Sequence, residues 1–244
     1  MPRFFVPSEN IDENTVKITG SDAYHIARSL RMAVGDEITV CDMHSHQHVC
    51  RLEKIRDEEC VATILSTTSA NTESPAEITL FMGYPKGDKL EFIVQKAVEL
   101  GASTIVAFES SRCVKRPKAE KIEKQTARLS RIAEEAAKQC GRAKLPTVHA
   151  PISFKEALNQ AKEAQLSLFC YEGDGTRSLK ECIEKAESRE SIAIIVGPEG
   201  GFSLAEAEEA KKSGVLSVNL GPRILRCETA PLYALSAISY SLEL

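Results

Sequence analysis

The stretch that most restricts this chain lies near its carboxyl end, where Ile192-Ala193-Ile194-Ile195-Val196 runs straight into Gly197-Pro198-Glu199-Gly200-Gly201. A short, unbroken apolar run bounded by a turn signal is a strand covered on both faces, the pattern of parallel sheets in α/β proteins. The glycines permit positive φ and let a ligand reach the backbone with no Cβ in the way, while Pro198 stiffens the turn and removes a donor. Alone, such a loop is equally an ordinary strand-to-helix connection. A second loop changes the balance. Val218 to Leu220 predicts another strand, and Gly221-Pro222-Arg223-Ile224-Leu225-Arg226 follows it, so one segment supplies both an apolar wall and two fixed cations. That mixture suits a bulky, partly charged ligand.

The rest of the chain divides at Asn71-Thr72-Glu73-Ser74-Pro75, a polar stretch ending in proline that reads as a linker between residues 1–70 and 75–244. Before it, runs around residues 16–18, 37–40, 49–52 and 61–65 alternate with polar turns and predict a small β-barrel, with one or two helical turns over 24–32. After it, predicted strands at 78–82, 104–108, 167–171, 192–196 and 218–220 alternate with helical stretches, which implies a mainly parallel sheet with its ligand site beyond the strand carboxyl ends. Asp88 is positioned to cap one helix, Ser203 and Glu206 form a capping box for another, and Thr229 is expected to cap the last. That last helix carries Leu232, Leu235, Ile238 and Leu242 as an apolar stripe, widened by Tyr233, Ala234, Ala237 and Tyr240. A helix apolar this far round calls for a second partner.

At 244 residues and 43% hydrophobic content the chain is long enough for one large domain or two smaller ones. No apolar stretch is long enough to span a bilayer and the amino terminus lacks a signal peptide's apolar core, so the cytoplasm is the expected compartment. Eight cysteines without a CxxC fit neither a zinc ribbon nor a secreted disulfide framework. His44, His46 and His48 alternate, so an extended backbone would put them on one face, but no cysteine or carboxylate spacing completes a metal site and none is expected. A net charge of −4 argues against indiscriminate nucleic-acid binding. Locally, Arg112, Lys115, Arg116, Lys118, Lys121, Lys124, Arg128 and Arg131 stand against only Glu120 and Glu123, which is either a solvated helix face or a phosphate-contacting surface. Gly173-Asp174-Gly175-Thr176 lacks P-loop spacing, and no GxGxxG opens a helix.

Taken together, GPEGGFS at 197–203 and LGPRILR at 220–226 followed by Glu228-Thr229-Ala230 closely resemble the signature of the small-subunit ribosomal RNA methyltransferase E family. Further matches are Arg3, His25, Arg28, Leu30, Arg31, Gly35 and Asp36, with Ser29 in place of a usual apolar residue. Pro85-Lys86-Gly87-Asp88-Lys89 leading to Gln95-Lys96 and Glu99-Leu100-Gly101, the Ser111-Arg112 pair, and Gln139-Cys140-Gly141-Arg142 before Pro146 extend the similarity over essentially the whole chain. The resemblance implies an α/β fold of the SPOUT type, a parallel sheet with a carboxyl-terminal trefoil knot, preceded by a PUA-like RNA-binding barrel. It implies S-adenosylmethionine as cofactor, methylation of N3 of a uridine in 16S rRNA within the 30S particle, and a homodimer.

On that resemblance, Gly197, Pro198, Gly200, Gly201, Leu220, Gly221, Ile224, Leu225, Thr229 and Ala230 are the expected cofactor contacts. Arg223 and Arg226 are candidates to steady an anionic uracil or clamp phosphate, and Glu199 and Glu228 to take the proton. Arg3, Arg28, Arg31, Arg112, Lys115, Arg116, Lys121, Arg128 and Arg142 are the expected RNA contacts. Two other readings stay open: a SPOUT ribose 2′-O-methyltransferase, and a noncatalytic RNA-binding or ribosome-assembly protein on the same fold.

Overall fold

The computed structural model describes every residue of the chain except Lys118. It forms two compact units, Met1–Glu73 with Ala137–Leu145, and Ser74–Ala136 with Pro146–Leu244. Among the described residues no helix is long and apolar enough to cross a membrane.

In the first unit, β1 (Arg3–Phe5), β2 (Thr15–Thr19), β3 (Glu37–Cys41), β4 (His46–Ile55) and β5 (Glu59–Ser69) form a sheet of order β1-β3-β4-β5-β2. All its pairings are antiparallel except β1 with β3. Alternate residues Val16, Ile18, Ile38, Val40, Cys50, Leu52, Cys60 and Ala62 point into one apolar core, which Ala23 of α1 (Gly20–Tyr24) and Ile26 in the following π-helical turn complete.

Residues 137–145 join this unit, which the sequence boundaries do not anticipate. Glu73 explains the attachment. Its carboxylate accepts from Arg142 Nη2 at 2.8 Å and from the amides of Ala143 and Lys144 at 2.9 and 3.1 Å. These hydrogen bonds and the guanidinium hold the Glu73 carboxyl below its ordinary range although burial alone would raise it. Arg142, an expected RNA contact, is 5% exposed and paired with Glu73. Arg3 is likewise half-buried, donating to Cys41 Sγ, Gln47 Oε1 and the Arg142 carbonyl, so it braces the unit rather than facing solvent.

The three histidines do not share one face: His46 and His48 lie two apart on β4, but His44 precedes the strand. Met43 and Ser45 adopt positive φ in the turn between β3 and β4, which breaks the extended backbone before His46. His46 Nδ1 meets Asp42 at 2.8 Å, His48 is buried with Nδ1 2.9 Å from Thr67, and His44 is exposed.

The second unit carries β6 (Glu77–Gly83), α2 (Lys89–Glu99), β7 (Thr104–Glu109), α3 (Ala119–Cys140, whose last turn belongs to the first unit), β8 (Thr147–Ser153), α4 (Phe154–Ala161), β9 (Leu166–Cys170), β10 (Arg177–Ser178), α5 (Leu179–Glu184), β11 (Ser191–Val196), α6 (Leu204–Ser213), β12 (Leu216–Asn219) and α7 (Thr229–Glu243). Seven strands lie in the order β10-β12-β9-β11-β6-β7-β8, every pair parallel. Both faces are therefore covered and the central strands are buried along almost their whole length, as β9 and β11 show.

Of the three helix caps read from the sequence, one forms. Ser203 and Glu206 form the predicted capping box, and Gly214 ends α6 in the left-handed conformation at φ 90°. Asp88 occupies the N-cap position of α2 without a side-chain capping bond. Thr229 does not cap α7 but is its first helical residue: Glu228 is already in αR conformation, and the Arg226 carbonyl accepts from both Thr229 and Ala230 amides at 2.9 Å.

Candidate functional site

The central strands β9, β11 and β12 end beside one cavity of about 490 Å³, a size suited to a nucleotide-like molecule. Its wall contains Gly197, Pro198, Glu199 and Gly201 after β11, and Leu220, Gly221, Pro222, Arg223, Ile224, Leu225 and Arg226 after β12, with Cys227 and Ala230 behind them. The two segments are brought side by side because β9 pairs with β11 on one edge and β12 on the other. Three predicted site residues stand off this wall. Gly200 is exposed and packed against Arg112, Thr229 points to solvent, and the Glu228 carboxylate is bound to Lys89 at 2.9 Å.

The loop after β11 is shaped by close approaches. A Cβ on Gly83, at the end of β6, would overlap the Pro198 ring, and one on Gly197 would lie 3.1 Å from the Phe202 ring. Gly201 has φ 63°, a conformation glycine adopts without strain, and a Cβ there would lie 3.0 Å from Glu172 Oε1. Phe202, 3% exposed, anchors the loop in an aromatic cluster with Phe169 at 4.2 Å between ring centroids and with Phe108 and Phe154.

Glu206 does more than cap α6. Its carboxylate accepts from the Ser203 amide and hydroxyl and from the Ser111 amide and hydroxyl, all within 2.9 Å. Burial pushes its pKa up, but those four donors outweigh it and hold the carboxyl below its ordinary value. Arg112 then reaches across to donate to the Gly200 carbonyl at 3.1 Å. Its guanidinium supports this loop, a use that its place in a basic run did not suggest.

The charge on the cavity wall comes from several elements. Arg223 and Arg226 are exposed on the loop after β12, and Glu172 follows β9. Lys89, the first residue of α2, lies 3.4 Å from Glu199 as well as 2.9 Å from Glu228. That ion pair is the main reason the Glu228 carboxyl is pulled down to about 2. A carboxylate this acidic and already paired is a weak proton acceptor, so Glu228 is better placed to hold structure than to act as a base. Glu199 Oε1 accepts from the Lys86 amide at 3.1 Å, while its Oε2 is buried without a hydrogen-bond partner among the described residues. Burial, together with the Glu228 carboxylate, pushes the neighbouring Cys227 thiol up to about 12, so it stays protonated and is no nucleophile at neutral pH. Sequence reasoning missed Lys89, Glu172 and Tyr171 as wall residues, although Lys89 stood within a matched segment.

The basic stretch divides into paired and unpaired cations among the described residues. Arg128 pairs with Glu91 at 2.8 Å and Arg116 lies 3.9 Å from Glu109, whereas Lys115, Lys121, Lys124 and Arg131 are exposed with no ion pair among the described residues. Lys118 lies outside the described residues. In the first unit, Arg28 forms a double contact with Asp57, and Arg31 is exposed at φ 52°.

Residues 72–239 match the family described as an RNA methyltransferase domain, and residues 18–65 match the RNA methyltransferase PUA domain. The ribosomal RNA small subunit methyltransferase E of Bacillus subtilis is 36% identical over 100% of this chain and 98% of its own length. The protein of that name from Synechocystis is 33% identical over 99% of this chain and 78% of its own length. The crystal structure of ribosomal RNA small subunit methyltransferase E from Neisseria gonorrhoeae bound to S-adenosyl methionine superposes with a TM-score of 0.88, at 34% identity over 99% of this chain and 98% of that one. With its paired strand-end loops and full-length similarity, the chain belongs to the ribosomal RNA small subunit methyltransferase E family.

Proposed function

We propose that this protein transfers the methyl group of S-adenosylmethionine to N3 of a uridine in 16S rRNA, acting on the 30S particle as a cytoplasmic homodimer. The observation that carries the reading is the cavity of about 490 Å³ closed by two glycine-bearing loops, with arginines on one and a carboxylate on the other. Its wall fits the cofactor: close-packed glycine backbone offers room where a Cβ would intrude, Ile224 and Leu225 offer apolar cover for a nucleobase, and charges of both signs suit a zwitterionic tail. When bound, S-adenosylmethionine supplies an electrophilic methyl group.

The chain's own part is to bind, align and manage one proton. Gly197, Gly201, Leu220, Gly221, Ile224, Leu225 and Ala230 form the cofactor wall. Arg223 and Arg226, exposed and unpaired among the described residues, stabilise the uracil as N3 loses its proton, or hold the adjoining phosphate. Glu199 is the better of the two carboxylates to accept that proton, because its Oε2 has no hydrogen-bond partner among the described residues, whereas Glu228 is held more closely by Lys89, at 2.9 Å against 3.4 Å. Arg31 in the first unit and Lys115, Lys121, Lys124 and Arg131 in the second supply phosphate contacts.

The dimer is supported by Tyr233 and Tyr240, which are 46% and 72% exposed on α7. A trefoil knot is part of this reading. Its support is that β12 lies beyond β9 in the sheet while the chain returns as α7 to pack on β11 and α2.

The test is to map 16S rRNA from a strain lacking this protein by primer extension and to incubate its 30S particles with purified enzyme and S-adenosylmethionine. One stop at a uridine should vanish in the deletion strain and return after incubation. A stop that persists in the deletion strain, or a modification on the ribose instead of the base, would overturn the assignment.

A further inference from the structure

We propose that Lys89 is a positioning residue: a single ammonium that holds the two loops of the cavity together and so sets the cofactor site. It stands at the first position of α2, where the helix dipole disfavours a cation, so local helix chemistry does not account for it. Tertiary contacts do. Lys89 Nζ lies 3.4 Å from Glu199 Oε1, on the loop after β11, and 2.9 Å from Glu228 Oε2, in the turn that leads from the other loop into α7. The same nitrogen is 3.7 Å from Cys227 Sγ, and that sulfur is 3.2 Å from Glu228 Oε2. The Lys86 amide donates to the same Glu199 oxygen at 3.1 Å.

These groups are half-buried, with Lys89, Glu199 and Glu228 side chains 27%, 19% and 24% exposed, so salt screens them less than a surface pair. The charge count gives the device its sign. The thiol stays neutral, which leaves one cation between two carboxylates. Removing the cation places two like charges together across the seam between the loops, and they push the walls apart. The remaining charged wall residues, Arg223, Arg226 and Glu172, form no ion pair with this cluster among the described residues, so they do not replace the bridge.

The inference rests on the cofactor reading above. Its test is calorimetric titration with S-adenosylmethionine and S-adenosylhomocysteine from pH 5.5 to 8, with folding followed by circular dichroism. Wild-type affinity should stay nearly flat, because the paired Glu228 remains ionised throughout this range. Lys89→Met should bind both ligands at least about tenfold more weakly at pH 8, as expected for breaking a half-buried charge pair. It should recover as pH falls, because without the cation a carboxyl's pKa rises and protonation relieves the repulsion.

Lys89→Met combined with Glu228→Gln should regain most of the lost affinity, and Lys89→Arg should bind within about threefold of wild type. Wild-type affinity in Lys89→Met, or no gain in the double variant, would overturn the proposal while leaving the cofactor reading intact. If Lys89→Met does not fold, Lys89→Arg decides: a folded protein with a tenfold loss would overturn the bridge, because the charge is still present. A wild-type protein that binds neither ligand would overturn the cofactor reading and the bridge with it.

Discussion

The two loops that face each other across the cavity are built by opposite means. The loop after β11 is pinned on every side: Pro198 lies against Gly83, Phe202 sits in the aromatic core, Glu206 ties Ser203 to Ser111, and Arg112 holds the Gly200 carbonyl. The loop after β12 is fixed at its ends, by the Gly221 amide donating to Asn219, by the turn at Arg226 and by Lys89 on Glu228, and Pro222 to Leu225 make no hydrogen bond among the described residues. Ile224 is 84% exposed there. A preformed wall gives the site its shape, and an adaptable one can close on what enters, which places the ordering cost of binding on one loop.

That contrast predicts where substitutions are felt. Phe202→Ala removes the anchor of the pinned loop and should lower stability by about 3–5 kcal/mol, read from denaturant unfolding. A loss below 1 kcal/mol would mean that the loop is not held from the core. Gly201→Val forces a side chain into positive φ against Glu172; we expect a smaller stability loss of about 1–2 kcal/mol and a fall in S-adenosylhomocysteine affinity of at least about tenfold. Unchanged affinity in a folded Gly201→Val protein would move the ligand elsewhere. Ile224→Ala tests the open loop and should leave stability within about 0.5 kcal/mol while weakening the same ligand several-fold, because the residue is covered only when the cavity is filled. Equal losses of stability in Ile224→Ala and Phe202→Ala would erase the distinction between the loops.

Features that depend on neighbours in sequence are legible in residue order alone. The apolar runs at 78–82, 104–108 and 192–196 became β6, β7 and β11, and the Ser203 and Glu206 spacing became a capping box. Less regular segments were missed: β8 carries Pro151 and alternates poorly, and β10 has only two residues. The basic run illustrates the limit well. Composition grouped Arg112 with Lys121 and Arg128, yet one supports a glycine loop, one is exposed without an ion pair among the described residues, and one pairs with Glu91.

By itself the sequence determined the alternation of strands and helices, the two glycine loops at strand ends and the family signature, because each depends on local propensity, steric freedom or residue order. Only the tertiary structure decided the partners. Strand order sets β11 between β9 and β6, so residues after Gly83 meet the loop at Gly197 although more than a hundred positions separate them. That arrangement gives Lys89 to Glu199 and Glu228, and a separate long-range contact gives Glu73 to Arg142. Such pairings carry no sequence period, because a charged side chain's role is set by whatever the fold places within about 4 Å of it, where desolvation and Coulomb attraction are decided.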